Sequence, residues 1–364
     1  MSLDGKRAAQ FRITVAFGSL WLVALTALEY SRAAMKNRRA VITKPGGPEV
    51  LAVIEEELPP PERDEVQLRV LASGVAYGDV MKRMGLNPGM PKMPYTPGYD
   101  LVGEVIATGP VVQRFKVGDR VAGFVLNGAN TEYANFSEGL LVPLPSGIDP
   151  VEALCLVLNY VTADQMLHRK ARIQPGQRVL VHGAAGGVGT ALLQLGKLDQ
   201  LEMYGTASIG KHEVVRGLGA TPIDYKSEDF VKRVLDLTGS GVDAAFDPIG
   251  GAHLGKSHSV VKKGGTLVAY NFSCAAKEGK PAILSTFLRL GLYKLIPDGK
   301  ACCFYGIHDQ TTIQEDLGKL LELLNRGKLR PIIGAKFPLT QIAEAHDLMD
   351  KAGVAGKIVL VPDS

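Results

Sequence analysis

Apolar positions recur in short runs through the first third of the chain. In the middle they give way to strand-length apolar blocks followed by helical spacing. The short runs fall at 39–42, 50–55, 66–72, 101–108, 120–124, 131–135 and 140–143. Turn signals separate them, among them Pro45-Gly46-Gly47-Pro48, Pro59-Pro60-Pro61 and Lys116-Val117-Gly118-Asp119. This pattern predicts a compact all-β lobe. Residues 152–167 then take helical spacing and lead through Ile173-Gln174-Pro175-Gly176-Gln177 into a new strand, so a domain boundary is expected near there. From Val179 to about Phe304 strands and helices alternate, with strands expected at 201–206, 222–225, 242–246 and 265–270 and a helix at 228–237. A helix at 313–326 and a strand at 357–361 read as a return to the first lobe. The stretch 271–301, apolar over 284–296, is expected to form a helical flap beside a cleft or a dimer contact.

The pattern centres on Val179-Leu180-Val181-His182-Gly183-Ala184-Ala185-Gly186-Gly187-Val188-Gly189, followed by an apolar helix. It reads as strand, tight turn, helix. Gly183, Gly186 and Gly189 permit a sharp turn, close approach of backbone to a pyrophosphate, and close packing of helix on sheet. The implied ligand is a dinucleotide. A second strand ends roughly 20 residues later, where an acid would bind the ribose 2′-hydroxyl of NAD. The chain has Ala207-Ser208-Ile209-Gly210-Lys211 instead. Hydroxyls and a cation without a competing carboxylate suit a phosphate dianion, which points to NADPH over NADH, although Lys211 also reads as a solvated surface lysine.

Composition narrows the classes. At 364 residues with a formal net charge of +4, the chain has enough length for two domains and no basic run interleaved with aromatics, so nucleic acid is not an expected partner. Cys155, Cys274, Cys302 and Cys303 form no CxxC pair and no disulfide framework, which fits a reducing, cytoplasmic setting. Residues 1–34 differ in pattern from the rest of the chain. Lys6, Arg7 and Arg12 precede an apolar stretch at 13–28 that spans only about 24 Å as a helix, short of a bilayer core. Two readings stand for it: a weak membrane anchor, or a non-native start ahead of Met35.

From Met35 onward the chain resembles the medium-chain dehydrogenase/reductase superfamily, in its zinc-free quinone oxidoreductase or zeta-crystallin-like branch. The resemblance rests on Pro97-Gly98-Tyr99-Asp100-Leu101-Val102-Gly103-Glu104-Val105, Val117-Gly118-Asp119-Arg120-Val121, Ala184-Ala185-Gly186-Gly187-Val188-Gly189, Leu218-Gly219-Ala220 and Gly356-Lys357-Ile358-Val359-Leu360. It implies an α/β fold: a GroES-like β lobe (35–157 and 305–364) around an inserted Rossmann domain with a doubly wound parallel sheet (158–304). The alcohol dehydrogenases of the superfamily hold zinc near positions that here are Ser73, Tyr99 and Asp100, and no convergent set of N, S or O ligands is evident. Without that Lewis acid, an acceptor that is already electrophilic is expected, a quinone or a conjugated enone.

The resemblance also implies site residues. Related quinone reductases carry Asn where Ala76 stands, so the neighbouring Tyr77 is the expected catalytic donor to the acceptor oxygen, unless its ring only packs under the cleft. Asp79 is expected to hold its loop. Cofactor contacts are implied for Thr162, which alternatively caps its helix, and for Ala185, Gly186, Gly187, Val188, Ser208, Lys211, Tyr225, Asp247, Ala269, Tyr270 and Phe304. The expected protein is an NADPH-dependent, zinc-independent homodimer joined near 265–270 and the segment that follows. The rival expectation is an NADPH-binding, crystallin-like or vesicle-associated protein with little turnover.

Overall fold

The computed structural model describes residues 34–87 and 90–363. The apolar stretch at 13–28, with its expected membrane contact, lies outside the described residues.

The first lobe grows from alternation. Strand β1 (Met35–Ile42) pairs antiparallel with β2 (Leu51–Leu58), in register from Met35 opposite Leu58 to Ile42 opposite Leu51. Strand β3 (Glu65–Val75) leads into helix α1 (Tyr77–Arg83), then β4 (Asp100–Thr108), β5 (Arg120–Phe124), β6 (Tyr133–Ser137) and β7 (Leu141–Pro143). The expected strands are present, most extended by a few residues where pairing continues past the alternating core. Helix α1 has no counterpart in the expected elements. Its first turn lacks a capping side chain at Ala76, and Asp79 supplies the cap instead by accepting from the Ala76 N–H at 3.0 Å. The same carboxylate accepts from Gly98 N–H at 3.0 Å, so Asp79 holds the loop as expected.

The connecting segment forms α2 (Pro150–Cys155) and α3 (Val161–Asp164), with wider π-type turns at Leu156–Tyr160 and Gln165–Ala171. Asp149 caps α2 through the N–H groups of Val151 and Glu152. Then β8 (Arg178–His182), α4 (Gly187–Leu198), β9 (Glu202–Ala207), α5 (His212–Gly217), β10 (Thr221–Asp224), α6 (Phe230–Thr238), β11 (Val242–Asp247), α7 (His253–Ser259) and β12 (Val261–Ala269) alternate. Helices α8 (Ala275–Glu278) and α9 (Lys280–Tyr293) precede β13 (Ala301–Phe304), and α10 (Gln310–Asn325), β14 (Ile333–Pro338), α11 (Ile342–Asp350) and β15 (Lys357–Val361) end the chain.

Strands β8–β13 make a six-stranded parallel sheet in the order β10-β9-β8-β11-β12-β13, the doubly wound arrangement that reverses direction between β8 and β11. The second main sheet runs β14-β15-β3-β4-β5-β7, with β6 on β3. Strand β15 pairs with β3 through Ile358 opposite Val75, which returns the chain end to the first lobe. The order corrects one expectation. The strand at 265–270 is interior, flanked by β11 and β13, so it offers no free edge; the edge on that side is Ala301–Phe304.

One large apolar core spans both lobes, from Val102 and Phe124 through Leu154, Tyr160 and Met166 to Leu192 and Leu320. Two facing sheets bridged by a buried helical segment leave a cleft along their junction. At its floor Gly356 N–H donates to Ala185 O at 2.9 Å, joining the C-terminal strand to the glycine turn.

Candidate functional site

The cleft holds about 1720 Å³. At its centre lies the turn from β8 to α4. Gly186 is the N-cap and offers no side-chain acceptor, so the N–H groups of the first turn of this twelve-residue helix have no partner from a cap. Gly186, Gly187, Val188 and Gly189 line the cleft, as does Ala185. The glycines are needed for space: a Cβ on Gly189 would stand 2.3 Å from Gly183 O, and one on Gly187 would stand 2.3 Å from Asn159 Nδ2. A helix start of this kind suits an anion.

Around that turn the fold gathers residues far apart in sequence. Thr162, Ser208, Lys211, Tyr225, Tyr270 and Phe304 all line the cleft, together with Tyr77. Tyr77 is half-buried, its burial pushes the phenol above its ordinary range, and its hydroxyl lies 3.5 Å from Ser273 O. Lys211 is already engaged: Nζ donates to Ala352 O and to Val354 O, each at 2.7 Å, and partial burial lowers its pKa. An ammonium has three donors, so one remains.

Two expected contacts do not reach the cleft. Asp247 is fully buried, and its carboxylate accepts from Ile249 N–H (2.7 Å), Gly250 N–H (3.0 Å) and Ser257 Oγ–H (2.6 Å), and lies 2.8 Å from His253 Nδ1. Against the cost of burial, the hydrogen bond from His253, the nearby His182 and the Ser257 hydroxyl hold it below the ordinary carboxylate range, at about 2. Asp247 therefore shapes the turn whose Pro248 and Ile249 line the cleft. Ala269 is likewise fully buried inside β12, and its carbonyl accepts from Tyr305 N–H.

The sequence pattern did not mark Asn159, Lys226, His253, Lys256 and Lys351, all of which line the cleft. Asn159 stands three residues before Thr162 and could have been found as part of that motif. The lysines are far apart in sequence, and only the folded chain brings them to the same cleft.

The zinc neighbourhood is occupied differently. Asp100 is fully buried and pairs with the equally buried Lys357 at 2.6 Å, and the pair packs over Gly74, where a Cβ would stand 2.3 Å from Asp100 Oδ1. Cys155 is buried and its thiol is pushed up to about 12. Among the described residues, one group of three His, Cys, Asp or Glu side chains has ligand atoms within 4.8 Å of one another: the buried His182 and Asp247 with His253, of which His253 lines the cleft.

The chain matches a sequence family described as "Alcohol dehydrogenase GroES-like domain" over residues 62–146, and one described as "Zinc-binding dehydrogenase" over 218–360. It is 34% identical over 318 residues to a synaptic vesicle membrane protein VAT-1 homolog of Rattus norvegicus, covering 84% of this chain and 78% of that protein. It is 29% identical to a quinone oxidoreductase of Rattus norvegicus over 87% of this chain and 95% of that one. The crystal structure of Escherichia coli quinone oxidoreductase complexed with NADPH superimposes with a TM-score of 0.82 at 27% identity, over 89% of this chain and 100% of that chain.

Proposed function

The chain belongs to the medium-chain dehydrogenase/reductase superfamily, in its quinone oxidoreductase-like branch, and from that premise we propose that it is an NADPH-dependent oxidoreductase acting on a quinone or an α,β-unsaturated carbonyl without zinc. The observation that carries this reading is the wall of the cleft. An uncapped helix start at Gly186 and Gly187 shares the cleft with Lys211, Lys226, Tyr225, Tyr77, Tyr270 and Phe304. NADPH, when bound, supplies the hydride.

The residues present fit that group. The N–H groups of Gly187 and Val188 would hold a pyrophosphate, Thr162 and Tyr270 would hold the nicotinamide end, and Ser208, Lys211 and Tyr225 would hold a 2′-phosphate. The chain's own work is to position the acceptor, exclude water and stabilise developing negative charge on the acceptor oxygen. Tyr77 is the donor for that oxygen. A phenol held above its ordinary range by burial stays protonated at neutral pH and keeps its hydrogen available. We assign the site to a cytoplasmic protein. We also assign it to a homodimer paired through Ala301–Phe304, beside which α9 exposes Leu284, Leu288 and Leu292.

The test is steady-state oxidation of NADPH, followed at 340 nm with a panel of quinones and conjugated enones in the presence of a chelator. Turnover is expected. Failure with every such acceptor, joined to oxidation of secondary alcohols on adding zinc, overturns the proposal.

A second reading is favoured by Ala76 and by the vesicle-protein relative: NADPH is bound but scarcely turned over. Tight NADPH binding with no turnover across the panel selects it.

A further inference from the structure

We propose that His253, held by the buried carboxylate of Asp247, is a contact residue for the adenine base of the cofactor; this rests on the dinucleotide reading above. His253 opens α7, and no pattern in the sequence marks it. Its side chain is 23% exposed and lines the cleft.

The hydrogen bonds around it fix where each proton lies. Asp247 has no Lys or Arg partner among the described residues, and the Ser257 hydroxyl gives its one proton to Asp247 Oδ2 at 2.6 Å. His182 Nε2, 3.1 Å from Ser257 Oγ, therefore donates to that oxygen, and His182 Nδ1 accepts from the Thr206 hydroxyl at 3.0 Å. A carboxylate only accepts, so His253 Nδ1 carries a hydrogen and donates to Asp247 Oδ2 at 2.8 Å. Every polar atom of this chain of contacts is then used except His253 Nε2, which meets no partner among the described residues. A metal ion at His182, Asp247 and His253 would have to break the bond from His182 to Ser257 and strip the proton from His253 Nδ1, so the cluster fits an orienting role for the imidazole.

The position identifies what Nε2 meets. In a doubly wound sheet the dinucleotide crosses the carboxyl ends of the strands where the order reverses, here between β8 and β11, with its pyrophosphate at the glycine turn. His253 packs against His182 at the end of β8 and Phe230 at the start of α6, the helix that follows β10, so it faces the β8–β10 half of the sheet. Its ring packs edge-on against His182 at 4.6 Å and stacks near Phe230 at 5.2 Å and 28°. Phe230, Pro248 and Ile249 line the same end. Flat apolar surfaces with one oriented ring nitrogen suit a purine, which stacks and offers ring and amino groups at its edge.

Calorimetric titration of the full chain with NADPH, NADH, AMP and nicotinamide mononucleotide tests this, comparing wild type with His253→Leu, His253→Gln and Lys211→Ala. His253→Leu is expected to raise the Kd of NADPH, NADH and AMP by one common factor of about five to ten, the loss of one hydrogen bond, and to leave nicotinamide mononucleotide unchanged. His253→Gln, which keeps a side-chain acceptor, recovers most of the loss. Lys211→Ala weakens NADPH alone. Unchanged affinities in His253→Leu overturn the assignment, and so does a loss confined to NADPH, which would make His253 a phosphate residue. A loss shared by nicotinamide mononucleotide overturns it as well, because it reports a general distortion of the cleft. Should His253→Leu not fold, His253→Ala with AMP gives the same decision, an unchanged affinity counting against the proposal. Wild type that binds neither NADPH nor NADH fails the dinucleotide reading instead.

Discussion

Lys211 shows how one side chain can serve the lobe junction and the ligand together. Two of its donors tie the 352–354 loop to the end of β9, and the third is free for a phosphate oxygen. Lys211→Ala is therefore expected to weaken NADPH by about three- to tenfold while NADH changes little, since charge-assisted bonds of partly exposed groups are worth about 1 kcal/mol. Ala207→Asp should shift preference toward NADH by placing a carboxylate beside the ribose. Both are read by titrating nicotinamide fluorescence, and equal affinity of the unmodified protein for the two cofactors would contradict the reading of this strand end. At the other end of the cleft, Tyr77→Phe removes the donor and keeps the ring. A fall of about ten- to a hundredfold in kcat with unchanged NADPH affinity is expected, in line with the loss of one oxyanion donor; an unchanged kcat would leave Tyr77 a packing residue. The glycines and Lys211 were legible in the sequence because each departs from what an ordinary strand end carries. Asp247 was misread as a contact for the same reason it is buried: its position after β11 is shared with cofactor-contacting turns, but only the structure shows four donors enclosing it.

Elements were legible where their period was long and clean. The final strand falls at Lys357–Val361 as expected, and the helix expected at 313–326 begins three residues earlier, at Gln310, where Asp309 caps it. Strand β12 runs from Val261 rather than 265, because Lys262-Lys263-Gly264 hides its start, and β13 is only four residues after a long connection. The two π-type turns that flank Thr162 carry no sequence signal. They widen the helix beside the glycine turn, a distortion that recurs at functional sites. Gly189 packs against Gly183 O, backbone on backbone. Gly189→Ala should cost about 1–3 kcal/mol in overpacking and weaken NADPH through displacement of the α4 start, measured by thermal unfolding and titration. Wild-type stability and affinity in that variant would show that the turn tolerates a side chain.

At the scale of the whole molecule, burial sets the acid response. His182 and His346 are buried and their pKa values are lowered to about 3, His182 by desolvation and His346 by desolvation and the nearby Arg83. Both are depressed below the ordinary value of 6.5, so between pH 6.5 and 3 the unfolded chain binds protons that the folded one does not. Stability should fall through that window by up to about 1.4 kcal/mol per pH unit for each group. Below the ordinary 3.8, Asp247 adds to the loss as pH falls toward 2. His168, raised to about 10 by Asp164 and Asp199, acts in the opposite sense, its contribution complete below 6.5 and lost as pH rises through 10, and its exposure keeps that contribution small. Urea unfolding at pH 7, 5.5 and 4.5 checks this: a His346→Leu variant should show a shallower acid slope, and an unchanged slope would contradict it. The two-lobed design and the doubly wound sheet were legible from alternation and the glycine turn together. The edge of that sheet was not, because a four-residue strand outside 265–270 leaves no periodic trace; light scattering that gives a monomer mass at working concentration would refute pairing through it.

The central claim is direct reduction of an electrophilic acceptor at this cleft, and one measurement addresses it without steady-state ambiguity. Full-length protein is mixed in a single turnover with NADPH carrying deuterium at the transferable C4 position and with a conjugated enone, in the presence of a chelator. The account predicts loss of absorbance at 340 nm and one deuterium on the β-carbon of the reduced product, with the rate lowered in Tyr77→Phe. Stable absorbance with NADPH bound, or a product whose β-hydrogen comes from solvent, would contradict it.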